Sequence, residues 1–148
     1  MSIVGPLLPG AKVLDLFAGS GALGLEALSR GAERVDFVES APKSIAVIHA
    51  NADSLGAAGA YQIHRADAIR YLESLQANDY DVAFADPPYD HALGTAVAAR
   101  WLAVPFARVI GIEHRANERL PGAGERRKYG STVVTIYRAD SPRLREPA

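Results

Sequence analysis

The sequence predicts an α/β fold built on a doubly wound, mostly parallel sheet. Short apolar runs alternate with amphipathic stretches along the chain. The apolar runs are near-continuous, as in Val82-Ala83-Phe84-Ala85, which suits strands covered by helices on both faces. A glycine-rich loop joins the first apolar run to the first amphipathic stretch. At 148 residues the chain is long enough for one domain with its own core.

Lys12–Phe17 reads as a buried strand, and Gly21–Arg30 as a helix closed by Gly31. Arg34–Glu39 is the next strand. Pro42 sits where the first turn of a helix tolerates it, and that helix runs to about Leu55, before Gly56. Tyr61–Ala66 is a strand and Ala68–Leu75 a short helix. Asp81–Ala85 is a strand, followed by a helix over Ala92–Leu102 with Trp101 in the core, and by a fifth strand over Arg108–Glu113. The pattern then changes. Pro121-Gly122-Ala123-Gly124 is a loop. Glu125–Tyr129 and Thr132–Arg138, separated by Gly130-Ser131, read as an antiparallel hairpin that completes a seven-stranded sheet. Residues 1–138 are expected to form the domain and 139–148 a loose tail.

Composition narrows the function classes. Hydrophobic residues make 49% and charged residues 22%, a balance that argues against a disordered chain. The absence of Cys excludes disulfides, a thiolate nucleophile and a thiolate metal site, and fits a cytoplasmic location. No apolar run approaches the roughly 18 residues of a membrane span, and Met1–Gly10 lacks the basic start of a signal peptide. His49, His64, His91 and His114 have no metal-ligand spacing, so no metal is expected. His91 reads either as a pocket residue or as a surface helix start. A monomer is expected. Residues 1–107 carry 7 basic and 12 acidic groups, whereas residues 108–148 carry 9 basic and 5 acidic ones. The basic third faces either solvent or a phosphate backbone, with Arg126, Arg127 and Lys128 as candidate contacts.

Gly19-Ser20-Gly21-Ala22-Leu23-Gly24 fits a nucleotide-binding loop between strand and helix. Glycine lets the backbone turn sharply and approach a ligand, and the helix N-terminus offers unpaired N–H groups. Glu39, at the end of the second strand, is placed to accept from two ribose hydroxyls. Alone, these features also describe an NAD site. Asp15, just before the loop, favours S-adenosylmethionine: a carboxylate repels a pyrophosphate but attracts a sulfonium and an ammonium. Asp67 reads either as an acceptor for an adenine amino group or as the N-cap of the following helix. The bare alternative is that the glycines only make a tight turn.

Asp86-Pro87-Pro88-Tyr89 follows the fourth strand. Ligands of open α/β sheets sit beyond the C-terminal strand ends, so Gly19 and Asp86 are expected to line one crevice. Pro87 and Pro88 have fixed φ and no N–H, which holds nearby carbonyls in place. The Asp86 carboxylate and the Pro87 carbonyl can both accept from an exocyclic amine. Tyr89 offers a stacking face worth about 1–3 kcal/mol. Methyl transfer to such an amine needs positioning and electrostatics rather than a covalent nucleophile. A plain turn after a strand is the alternative.

Asp15–Ala32, Val38-Glu39-Ser40, Ala85–Tyr89 and Arg127–Ser131, at this spacing, resemble the RsmD family of bacterial 16S ribosomal RNA guanine-N2 methyltransferases. These are class I S-adenosylmethionine-dependent enzymes with a Rossmann-like sheet. The resemblance covers roughly residues 10–138. It implies cofactor contacts from Asp15, Ala18, Gly19, Ser20, Gly21, Glu39, Ser40, Asp67 and Ala68. It implies acceptor and catalytic roles for Asp86, Pro87, Pro88 and Tyr89. It also implies a small-subunit rRNA substrate whose target base is turned out of a loop into the pocket. Family members normally carry a basic N-terminal extension, partly a β-hairpin, ahead of the first strand, which here is expected at Lys12. The rival readings are an amino-methyltransferase for adenine or cytosine in DNA or RNA or for a protein amide, an NAD-binding oxidoreductase, and a cofactor-binding fragment without activity.

Overall fold

The computed structural model describes residues 4–89 and 92–139. His91 and residues 140–148 lie outside them. The elements follow the expected alternation: β1 (Lys12–Leu16), α1 (Ala22–Ser29), β2 (Arg34–Glu39), α2 (Pro42–Ser54), β3 (Tyr61–Arg65), α3 (Ala68–Leu72), β4 (Tyr80–Ala85), α4 (Leu93–Ala103), β5 (Ala107–His114), β6 (Glu125–Tyr129) and β7 (Thr132–Arg138). They build one seven-stranded sheet in the order β3-β2-β1-β4-β5-β7-β6. β1 to β5 pair in parallel, and β7 runs antiparallel between β5 and β6. The winding direction reverses between β1 and β4, which makes the crevice at their C-terminal ends the place where a ligand fits.

Period-two alternation divides the strand side chains between two cores. Val13, Val82, Phe84 and Val109 pack with Leu25 of α1 and Ile48 of α2. Leu14, Leu16, Ala83, Ile110 and Ile112 pack on the other face with Leu72 of α3 and Val97 and Trp101 of α4. Trp101 is buried as expected, and its Nε1 donates to the Ala107 carbonyl at 2.8 Å.

Most element ends shift by a residue from the sequence reading, and three of the shifts have a visible cause. β1 stops at Leu16 because Phe17 is left-handed, with φ 57°. α4 begins at Leu93 because Ala92 is also left-handed, with φ 52°. α3 ends at Leu72 rather than Leu75. There the Arg100 guanidinium of α4 donates to the carbonyls of Leu72 and Leu75 at 3.1 and 3.2 Å, supplying partners that a longer helix would have provided.

A cavity of about 540 Å³ opens at the opposite end of the sheet, beside Lys12, Arg34, Asp36 and Tyr80. Its polar groups satisfy one another: the Tyr80 hydroxyl donates to Asp36 at 2.6 Å, and Arg34 pairs with the same carboxylate. Burial and Asp36 push the Tyr80 hydroxyl well above its usual range, which keeps it protonated as the donor. Among the described residues no helix is long and apolar enough to cross a membrane.

The tightest packing lies between α1 and β2. A Cβ on Gly24 would stand 2.4 Å from Phe37 Cε1 and 2.8 Å from Val35 Cγ1. Gly24→Ala is therefore expected to destabilise the fold by about 1–3 kcal/mol through overpacking. A lower urea midpoint with an unchanged m-value would report it.

Candidate active site at the C-terminal ends of the strands

Gly19 and Gly21 both have positive φ, 59° and 81°, and carry the chain from β1 into α1. A Cβ on Gly19 would meet nothing within 4 Å, so this glycine borders open space where a ligand can come close. Gly21 is the N-cap of α1, and Gly24 serves the helix–sheet contact instead. The three glycines of the motif thus have separate tasks.

Glu39 ends β2 and holds the loop. Its Oε1 accepts from Gly19 N–H at 2.8 Å and its Oε2 from Ala41 N–H at 2.9 Å. Each oxygen keeps a second lone pair for a hydroxyl donor. Ala18 N–H donates to the Val38 carbonyl, and Ala66 N–H to the Glu39 carbonyl, so the turns after β1 and β3 both lean on the end of β2. Ser20 and Ser40 are exposed beside this loop, while Ala68 is buried. Asp67 is the N-cap of α3, its carboxylate accepting from Arg70 N–H at 3.0 Å. Of its two readings, the cap is the one this geometry displays.

Asp15 departs from the sequence reading. It is only 2% exposed, and its Oδ2 accepts from Gly24 N–H at 3.0 Å. Burial above all, with further contributions from Asp86 and Glu39, pushes its pKa up to about 8, against the opposing pull of the Gly24 hydrogen bond. A carboxyl raised this far favours its protonated form at neutral pH, rather than the open carboxylate the sequence suggested. The same coupling shows that Asp15, Glu39 and Asp86 converge, as the crevice requires.

Asp86 and Pro88 are exposed and Pro87 is buried, immediately past β4. Tyr89 is 42% exposed, and the Arg115 guanidinium lies over its ring, 5.0 Å from the centroid. That cation–π contact fixes one face of the ring. Glu113, near the end of β5, was not singled out from the sequence. Its carboxyl is hydrogen-bonded to Asp86, and burial together with that neighbour pushes its pKa up to about 7. The signal was available: the strand-end rule that selected Glu39 and Asp86 selects Glu113 when applied to the fifth strand.

Two of the three basic residues considered for phosphate contact are engaged within the chain. Arg126 donates to the carbonyls of Ala116 and Glu118 at 2.7 and 3.0 Å, and Arg127 pairs with Glu125 at 2.6 Å. His114 is buried, bridging Thr135 Oγ1 and the Arg115 carbonyl.

The raised Asp15 pKa has a sign. Between pH 4 and pH 8 the folded protein keeps a proton that the unfolded chain has lost, so this residue costs stability as pH rises. Asp15→Asn keeps an acceptor for Gly24 and removes the titration. Urea denaturation at pH 5 and pH 8 is expected to show a smaller loss of stability in the variant than in the wild type.

Comparison with known proteins agrees with this geometry. Residues 1–138 match the family described as "Conserved hypothetical protein 95". The "Putative rRNA methyltransferase YlbH" of Bacillus subtilis is 33% identical, over 93% of this chain and 80% of that protein. The "Ribosomal RNA small subunit methyltransferase D" of Escherichia coli K12 is 35% identical over 60% of this chain, which spans only 43% of that protein's length. A solved structure of a conserved hypothetical protein from Streptococcus pyogenes superposes with a TM-score of 0.80 at 30% identity, covering 94% of this chain and 92% of that one. The chain belongs to the Conserved hypothetical protein 95 family, the RsmD family whose motifs it carries.

Proposed function

We propose that this chain transfers a methyl group from S-adenosylmethionine to the exocyclic N2 amine of a guanine in small-subunit ribosomal RNA. The observation that carries the proposal is the convergence of Asp15, Glu39 and Asp86 around the open loop at Gly19. An acidic crevice of this kind suits a cationic cofactor and repels a pyrophosphate. The names of the relatives, rRNA methyltransferases in two organisms, support the same reading. A ribosomal RNA substrate implies a cytoplasmic site of action.

The residues present fit the cofactor. Glu39 is held rigidly enough to receive ribose hydroxyls, Gly19 leaves room for close approach, and Asp15 gains negative charge when a cation draws off its proton. When bound, S-adenosylmethionine supplies a methyl group already activated on sulfur. The protein then has to position the amine. Asp86 and the Pro87 carbonyl accept its two hydrogens, which turns the nitrogen lone pair away from the ring and toward the methyl donor. Tyr89, braced by Arg115, stacks on the base.

Calorimetric titration with S-adenosylmethionine, with NAD as the control, tests the cofactor. Binding of the first alone is expected, with affinity rising from pH 6 toward pH 8 and protons released, because a cation favours the ionised form of Asp15. Binding of NAD alone would overturn the proposal. Asp86→Ala is expected to lower kcat on small ribosomal subunits by about 100- to 1000-fold with cofactor affinity intact. Retained transfer would remove Asp86 from its role.

A further inference from the structure

The crevice does not end at Asp86. β4 and β5 are in parallel register with Ala85 opposite Ile112, so Asp86, just past β4, lies beside Glu113 near the end of β5. Glu113 shares the alternation of Val109 and Gly111, and Asp86 that of Val82 and Phe84. Both carboxyls therefore stand on the α1 side of the sheet, as Asp15 does. Next to them lies a cavity of about 410 Å³, lined by Phe84, Gly111, Leu23, Tyr129 and Val134 among others. Its walls are mostly apolar, and among its described lining residues Glu113 alone carries a carboxyl. A flat ring entering there would rest on apolar side chains and meet two adjacent acids at one edge.

We propose that Glu113 determines base specificity by accepting the N1–H of guanine while Asp86 accepts from the N2 amine. This rests on the function proposed above and deepens it. Guanine places two donors next to each other, N2–H and N1–H. Adenine and cytosine place an acceptor, N1 or N3, beside their exocyclic amine. Two adjacent carboxylates complement the first pattern and repel the second. Discrimination by paired acceptors of this kind is strong, because the wrong base leaves an acceptor facing an acceptor. The charged neighbours agree with the assignment. Asp86 faces Glu113 from β4, and Asp15 lies beyond it on β1. Tyr129, Thr132 and Val134 border it from β6 and β7, and Leu23 from α1. Arg115 is turned to the Tyr89 ring. Glu113 and Asp86 are hydrogen-bonded to each other, and the raised pKa of Glu113 means a proton has to leave before guanine N1–H can be accepted.

The test is Glu113→Gln in the full chain, assayed with S-adenosylmethionine on small ribosomal subunits lacking the modification, with analysis of the methylated nucleoside. Glutamine keeps a donor to Asp86, so a merely structural Glu113 would be rescued by it. If Glu113 reads the base, kcat/KM falls by about 10- to 100-fold, calorimetric affinity for S-adenosylmethionine is unchanged, and the rise in wild-type kcat/KM through pH 7 is lost. Wild-type N2-methylguanosine formation with a variant of near-wild-type kcat/KM and pH profile would overturn the inference and leave the function standing. Methylation of adenine or cytosine by the wild type would overturn both.

Discussion

The hydrogen bond between the buried Asp15 carboxyl and Gly24 N–H organises the rest of the site. It joins the last turns of β1 to the first turn of α1 across the glycine loop, and it forms because Gly24 lies against Phe37 and Val35 with no room for a side chain. The helix start, the loop opening at Gly19 and the direction of β1 are thereby fixed together. Glu39 repeats the device from the next strand, binding the loop at Gly19 and its own turn at Ala41. The loop is held by two acids rather than by its own sequence, so its shape exists before any ligand arrives, which lowers the ordering cost of binding.

Four carboxyl groups, Asp15, Glu39, Asp86 and Glu113, end up at one end of the sheet. Such an arrangement is unfavourable, and the raised pKa values of Asp15 and Glu113 are its consequence: burial and neighbouring carboxylates favour their protonated forms. A positively charged ligand relieves it in a different way, by compensating the carboxylates directly. The crevice is in this sense pre-stressed toward a cation, with stability given up at the site in exchange for selectivity.

The strand alternation, the glycine loop, the hairpin and the strand-end acids were legible because each is a local pattern: apolar runs, turn residues and the position of an acid relative to a strand. The seven strands and the adjacency of the β1 and β4 ends followed from them. What stayed hidden depends on contacts between distant segments. The Asp86–Glu113 pair needs the β4–β5 register, and the Arg115–Tyr89 contact needs a loop to fold back. The engagement of Arg126 by the carbonyls of residues 116 and 118 converts an apparent surface charge into a loop clasp. Asp15 was found, but its protonation was not, since a charge seen in sequence carries no information about its burial.

The placement of β7 between β5 and β6 also governs the order in which the molecule is completed. β6 is exposed along its length and, among the described residues, pairs with the sheet through β7 alone. As the chain emerges from the ribosome, β1 to β5 can assemble in sequence, but β6 has no edge to join until residues 132–138 have followed it. Until then β5 presents an unpaired edge, and the wall of the cavity beside Glu113 is missing. Closure of the sheet and completion of that cavity are thus a single late event, and a nascent chain stopped short of Arg138 carries the glycine loop without the wall that β6 and β7 supply.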